Sequence, residues 1–395
     1  MEISPDIFEN TETAFEGKTD GDLQKVKALF TIFASDGLVK LGSTLATFSL
    51  KLHLPVSPLF KWTIYSHFSG GETFEECKKT IAKLQKRNAG VLLNYGVELK
   101  ETDADFDKAL QANLEAIQFA KHNHAVKAIC IKPTSYGRFA LFEKIQKGET
   151  LTNAETHEYE KVHKRFEKLC KTAEQSNVIL YMDAEESWIQ DTLDGMVEEM
   201  MEQHNRTRCI VYNTIQLYRW DRLEYLTQQI EKAKAAGYLY GAKLVRGAYM
   251  EKEREHAKDN GYKSPIHKDK HGVDKDFDAA VKLCLQNIEN VYTCVATQNE
   301  HSCILAAKLI DKLGIERNSE RVIFSQLYGM GDNITFNLSK LGFTTAKYLP
   351  YGPVKDVIPY LIRRAQENTS VSGQTGRELT LVNREIKRRK KSRQD

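Results

Sequence analysis

The sequence predicts an α/β chain folded as a distorted (β/α)8 barrel, and two observations carry that expectation. Short β-branched runs alternate with helical patterns eight times over about 280 residues, the count and length of such a barrel. Each run also ends on or near a charged, amide or phenol side chain. A third observation removes the main competitor. No GxGxxG follows a strand, because Gly329-Met330-Gly331-Asp332 lacks the third glycine, and neither a Walker sequence nor HExxH occurs.

Residues 1–85 read as an N-terminal helical region. Its apolar stretch from Leu29 to Leu54 is interrupted by Asp36, Lys40, Lys51 and His53, which makes it a poor membrane span. The barrel is expected over 86–370. Its strands are predicted at 90–95, 128–132, 178–183, 209–215, 239–245, 292–297, 321–325 and 346–349. The helical patterns that follow them run over 103–122, 155–176, 187–204, 217–236, 275–290, 300–314, 332–341 and 354–368. Strands alternating with helices imply parallel βαβ units. The last helix is expected over the barrel mouth, and residues 371–395 form a basic tail.

Composition is that of an ordinary globular protein, 41% hydrophobic and 28% charged with a net charge of +3. Seven Lys/Arg among the last twelve residues give the tail +5, so the body is slightly acidic and not a nucleic-acid binder. The tail itself is expected to be a frayed, solvated end, with contact to anionic lipid or nucleic acid as the second reading. Seven cysteines without a CxxC read as reduced core residues. The first twenty residues carry Glu2, Asp6, Glu9, Glu12, Glu16 and Asp20 against Lys18, which argues against a signal or transit peptide.

Active sites in this fold gather at the carboxyl ends of the strands. The candidates there are Glu98, Lys132, Asp183 with Glu185, Gln216, Lys243 with Arg246 and Tyr249, Thr297-Gln298-Asn299, Gln326, and Tyr348 with Tyr351. Arg363 and Arg364 stand on the helix behind. Singly, each has a plainer reading: Lys243 as a core lysine paired with a carboxylate, Glu185 and Glu186 as acids opening a helix, Arg363-Arg364 as a solvated helix face. Together they are hard to explain by packing, because buried charges need partners. The set is rich in cations and tyrosines and poor in acids, so two-carboxylate hydrolysis and metal catalysis both fit badly. Two chemistries remain from the inventory: a Schiff base on Lys132 or Lys243, or a cofactor enzyme in which cations hold an anionic cofactor and substrate. A barrel that has lost activity and serves as a binding module is the non-enzymatic alternative.

Six segments then show a close resemblance to the proline dehydrogenase family, in the family's order: Tyr181-Met182-Asp183-Ala184-Glu185, Lys243-Leu244-Val245-Arg246-Gly247-Ala248-Tyr249, Ala296-Thr297-Gln298-Asn299, Gln326-Leu327-Tyr328-Gly329-Met330-Gly331-Asp332, Tyr348-Leu349-Pro350-Tyr351-Gly352 and Tyr360-Leu361-Ile362-Arg363-Arg364. Val91-Leu92-Leu93-Asn94-Tyr95-Gly96-Val97-Glu98 and the N-terminal region resemble its monofunctional, eukaryotic-type branch. The resemblance implies FAD, oxidation of L-proline to Δ1-pyrroline-5-carboxylate by hydride transfer to flavin N5, and electrons passed to membrane quinone. It places Arg363, Arg364 and Lys132 on the substrate carboxylate, Asp183 beside an arginine, and Tyr249, Leu327, Tyr348 and Tyr360 around the ring, with Glu98 as a gate. It assigns Gln216, Lys243, Val245, Arg246, Gly247, Ala248, Thr297, Gln298, Asn299, Gln326 and Glu367 to the cofactor. Tyr348 favours proline over trans-4-hydroxyproline. Gln298 stands where many members have histidine, and Lys243 replaces the arginine of bifunctional members. A separate pyrroline-5-carboxylate dehydrogenase is expected downstream, no nucleic-acid partner is expected, and a cytoplasmic protein peripheral on the inner membrane is the expected location.

Overall fold

The computed structural model describes residues 3–35, 37, 64–96, 101–357, 361 and 374–394. Its strands are β1 Ala89–Tyr95, β2 Val126–Ile131, β3 Ile179–Met182, β4 Val211–Gln216, β5 Tyr240–Val245, β6 Val291–Ala296, β7 Val322–Leu327 and β8 Thr345–Tyr351. They neighbour one another in chain order in a closed barrel. Each predicted run is a strand, shifted by no more than two residues at either end. The register is parallel, with Lys243 opposite Cys294 between β5 and β6 and Leu92 opposite Tyr348 between β1 and β8. Burial along β4 and β5 is nearly continuous, as expected of parallel strands covered on both faces.

The described helices of five residues or more are α1 Thr11–Phe15, α2 Asp20–Phe33, α3 Phe74–Gln85, α4 Asp103–Lys121, α5 Phe139–Gln146, α6 Asn153–Ser176, α7 Ser187–His204, α8 Arg222–Ala236, α9 Met250–Asp259, α10 Lys270–Gln286, α11 Glu300–Lys312, α12 Asp332–Lys340 and α13 Gln374–Lys391. The chain divides into two compact units, residues 99–325 and residues 1–98 with 326–395.

In the unit 99–325, side-chain caps fix the helix starts. Thr102 accepts from Asp105 N–H, and Thr152 forms a capping box with Glu155. Two predicted helices move. The one expected from 217 begins at Arg222, because Tyr218 and Trp220 bond the backbone of 265–267 instead: Trp220 N–H donates to Pro265 O and His267 N–H to Tyr218 O. The one expected from 275 begins at Lys270, where the Asp269 side chain caps Gly272 N–H. Helices α5 and α9 were not predicted. The first is a single short stretch of eight residues, and the second, MEKEREHAKD, has almost no apolar face to read.

In the other unit the basic tail differs from its expectation. It is the helix α13, not a frayed end. Leu381 and Val382 join Phe15, Leu23 and Phe30 in a core cluster. The tail's arginines meet the acidic N-terminus: Arg377 and Arg384 pair with Glu9, Arg388 with Glu12 at 3.3 Å, and Arg389 with Asp20 at 2.9 Å. Glu385, fully buried, accepts from Thr11 Oγ1 at 2.9 Å and from Arg388 and Arg389 Nε at 2.8 Å. Segments of opposite charge at the two ends of the chain thus neutralise each other. Of the last barrel helix, residues 354–357 and 361 are described and helical, and the remainder lies outside the described residues, as does most of the apolar stretch 29–54. No described helix is long and apolar enough to cross a membrane. All seven cysteines are buried and unbridged.

Candidate functional site

The unit 99–325 holds a cluster of polar side chains at strand ends. Pro133 stops β2 and opens a 3-10 turn over Pro133–Ser135, with Lys132 at its N-cap. Lys132 is half-buried and forms no ion pair among the described residues. Asp183 N–H donates to Ile131 O at 2.8 Å, carrying the β3 ladder one residue past the strand. From there the Asp183 carboxylate meets Lys243 Nζ of β5 at 2.5 Å, with side-chain exposures of 15% and 7%. Burial pushes the Lys243 ammonium toward neutrality, but the Asp183 carboxylate outweighs it and holds the proton above the ordinary lysine range. The pair is therefore ionic in spite of burial. The plain reading of Lys243, a lysine paired with a carboxylate, is the geometry observed.

Two residues further on, Glu185 is buried. Its carboxylate accepts from Thr134 N–H at 2.9 Å and from Thr134 Oγ1 at 2.7 Å. Burial raises the Glu185 carboxyl to about 7, while the nearby Lys132 charge and the Thr134 bonds pull the other way. Gln216 Nε2, at the end of β4, donates to Glu185 O at 2.7 Å. Glu186 takes the N-cap position of α7 without a side-chain cap and pairs with Lys252 at 2.5 Å.

Arg246 follows β5. Its Nε and one NH2 hydrogen reach Asp274 Oδ1 at 3.0 and 2.7 Å, NH1 reaches Thr297 Oγ1 at 2.6 Å, and NH2 also reaches Ser302 Oγ at 3.1 Å. Four of the five guanidinium N–H groups are thereby engaged, and the plane stands over Phe277, 4.3 Å from the ring centroid. Gly247 next to it has φ +135°, and a Cβ there would come within 2.6 Å of the Tyr218 ring, so only glycine fits. Gly247 and Ala248 are exposed. Thr297 Oγ1 also accepts Asn299 N–H at 3.1 Å, and Asn299 Oδ1 caps Ser302 N–H at 3.1 Å. Tyr181 and Tyr212 are core aromatics, their ring centroids 4.7 Å apart.

The unit formed by 1–98 and 326–395 carries a second group of charges. Lys347 on β8, fully buried, pairs with Asp332 at 2.8 Å and donates to Met330 O at 2.5 Å. Lys18 pairs with Asp332 at 3.2 Å. Gly331 N–H donates to Glu378 of α13 at 2.6 Å, and His67 Nε2 bonds Gly329 O at 2.8 Å. Burial drives the Lys347 ammonium below its ordinary range, although Asp332 and Glu378 oppose it. Burial also lifts Glu378 to about 7 and lowers His67 to about 4. In the same unit Leu327 and Tyr348 pack on the hydrophobic cluster, and Gln326 Oε1 accepts from Thr335 Oγ1 at 2.7 Å.

Lys132, Asp183, Gln216, Arg246 and Thr297 stand at strand ends, and Lys243 lies within β5, two residues before its end. Val245, Tyr249 and Gln298 are half-buried at the ends of β5 and β6. Glu98, Tyr360, Arg363, Arg364 and Glu367 lie outside the described residues. Sequence reasoning missed Asp274, which holds Arg246 from α10 with no local motif to mark it. It also missed the Glu185–Thr134 bonds, for which the Asp-x-Glu spacing after β3 is the available signal.

The sequence model of the family "Proline dehydrogenase" matches residues 77–377. Proline dehydrogenase 2, mitochondrial, of Arabidopsis thaliana is 32% identical over 89% of this chain and 82% of its own length. The carbapenem antibiotics biosynthesis protein CarD of Pectobacterium carotovorum is also 32% identical, over 89% of this chain and 91% of its own. Among solved structures, proline utilization A from Bdellovibrio bacteriovorus superposes with a TM-score of 0.71 at 18% identity, over 81% of this chain and 35% of that one. That last likeness speaks to the fold. This chain spans about a third of the solved protein's length.

Proposed function

This chain belongs to the proline dehydrogenase family, and from that premise we propose that it oxidises L-proline to Δ1-pyrroline-5-carboxylate with FAD as cofactor and hands the electrons to a membrane quinone. The observation that carries the proposal is Lys132, a half-buried ammonium at a strand end with no ion pair among the described residues. Such a cation suits the carboxylate of a small zwitterion. Asp183 supports the reading from the side, since its pairing at 2.5 Å already matches the charge of Lys243.

The residues after β5 and β6 suit an anionic cofactor. Gly247 offers exposed backbone that no other residue could replace, Ala248 adds no bulk, and Arg246 is held in place by four internal bonds. Gln216, Lys243, Val245, Arg246, Gly247, Ala248, Thr297, Gln298, Asn299, Gln326 and Glu367 would hold FAD, which when bound supplies the hydride acceptor. The chain's own work is to orient and to set protonation. By the family resemblance Lys132, Arg363 and Arg364 would each serve the substrate carboxylate, and cations in that role favour the neutral amine, whose lone pair the departing hydride requires. The same resemblance would assign Tyr249, Leu327, Tyr348 and Tyr360 to the ring and Glu98 to gating.

Purified protein should be yellow, and anaerobic L-proline should bleach it. A protein that takes up no FAD would end this reading. Arg363→Met and Arg364→Met should each raise KM for proline about 100-fold, the scale of a bidentate charged contact, with flavin retained. Loss of flavin in both would assign the arginines to the cofactor.

A further inference from the structure

We propose that Glu185 is a positioning residue for substrate binding: its carboxyl clasps the turn that Lys132 opens and thereby fixes where that ammonium stands. The inference rests on the reading of Lys132 as a substrate-carboxylate cation.

Lys132 is the N-cap of a turn only three residues long, Pro133–Ser135. The turn's own backbone bonds are few: Ser135 N–H to Lys132 O and Tyr136 N–H to Pro133 O, both 3.0 Å. Such a short turn does not hold a lysine stem by itself. Glu185 supplies the missing restraint by taking both the N–H and the hydroxyl of Thr134, two residues from Lys132. The clasp is anchored in turn. Glu185 N–H donates to Gln190 Oε1 at 2.7 Å, and Gln216 Nε2 donates to Glu185 O at 2.7 Å. Gln190 Nε2 continues to Asp194 at 2.8 Å, and Asp194 receives Arg222 at 2.6 Å with both side chains 3% exposed. Thus the turn after β2 is held by the Glu185 carboxyl, the end of β4 and the first turn of α7 hold the Glu185 main chain, and α8 joins through Asp194. Its helix-opening alternative is already filled, because Glu186 and not Glu185 stands at the N-cap of α7.

The experiment reads KM and kcat for proline together with calorimetric binding of cyclopentanecarboxylate, which carries the carboxylate but no amine. Glu185→Ala should weaken both KM and the binding constant about 10-fold, the worth of one charge-assisted contact, with kcat within about twofold. Glu185→Gln, which can still accept from the Thr134 N–H and donate to its hydroxyl, should stay within about twofold of wild type. In a Lys132→Met background, Glu185→Ala should add less than about twofold, since the residue acts through Lys132. Additive losses in that background, or a Gln variant as impaired as the Ala one, would overturn the assignment. Thr134→Val removes half of the clasp and serves the same coupling test if Glu185→Ala does not fold. A wild type that binds cyclopentanecarboxylate while the variants behave additively rejects Glu185 alone. A wild type that neither binds it nor bleaches with proline rejects the substrate reading and this inference with it.

Discussion

Two lysine–aspartate pairs in this molecule have nearly the same chemistry and opposite consequences. Lys243 and Asp183, in the unit 99–325, are 2.5 Å apart; Lys347 and Asp332, in the other unit, are 2.8 Å apart. Both lysines sit on barrel strands. Lys243 keeps its proton above the ordinary range, whereas Lys347 is driven below it. The difference lies in the surroundings. Asp183 is 15% exposed, and its attraction outweighs the burial of Lys243. Lys347 is sealed, and Lys18, sharing the same Asp332, repels it. A buried pair open at one side can serve a ligand. One closed on all sides by other charges serves the fold.

The sharpest break in this comparison is Asp332→Asn against Asp183→Asn. Removing the Asp332 charge strands the buried Lys347 and the half-buried Lys18, which should cost about 3–5 kcal/mol and show as a large drop in the urea midpoint. Asp332 is held far below the usual carboxylate range, its burial outweighed by Lys18 and Lys347. Its contribution is therefore present above about pH 4 and is lost as pH falls toward that depressed value. Asp183→Asn should cost about 1–2 kcal/mol in the same assay, because Lys243 can draw water in at the open side, but should lower kcat/KM for proline roughly 100-fold. Equal stability losses would erase the distinction.

A smaller effect of the same kind separates two carboxyls lifted by burial, Glu185 and Glu378, both to about 7. Below pH 4.5 each is protonated in folded and unfolded chains alike and contributes nothing. Between 4.5 and about 7 the unfolded chain releases a proton that the fold retains, so stability falls as pH rises, and above about 7 the loss is complete. Glu378→Gln should therefore gain about 2–3 kcal/mol at pH 8 relative to its own effect at pH 5. Glu185→Gln should do the same, with proline KM unchanged. A pH-independent effect in either variant would mean that its carboxyl titrates near the usual value.

How far these pairs were legible in the sequence follows the range of the forces involved. Strand runs such as Val91-Leu92-Leu93 and Ile129-Cys130-Ile131 carry their own period and burial, so the barrel could be read locally. The placement of Lys132, Asp183 and Lys243 followed from the barrel alone, since strand ends gather by topology. The partner of Lys243 did not: Asp183 is sixty positions away, and only the closed register brings it near. The same holds for the tail. Its charge was visible, but Glu9, Glu12 and Asp20 as its counterions are contacts across more than three hundred residues, which no local pattern encodes. The helix α9 escaped for the opposite reason, having too little apolar surface to leave a period.

The smallest expected effect comes from a third lysine–aspartate pair, Lys161 with Asp103 at 2.7 Å. The distance lies between those of the two buried pairs, yet the side chains are 42% and 52% exposed. Water screens the attraction, and the long lysine stem loses entropy in holding the contact. Asp103 also keeps Arg165 at 3.0 Å when Lys161 is removed. Lys161→Met should therefore shift the urea midpoint by no more than about 0.5 kcal/mol equivalent, and adding 0.5 M salt should remove even that. A loss approaching that of Asp332→Asn would mean that separation, and not solvent access, governs what such a pair contributes.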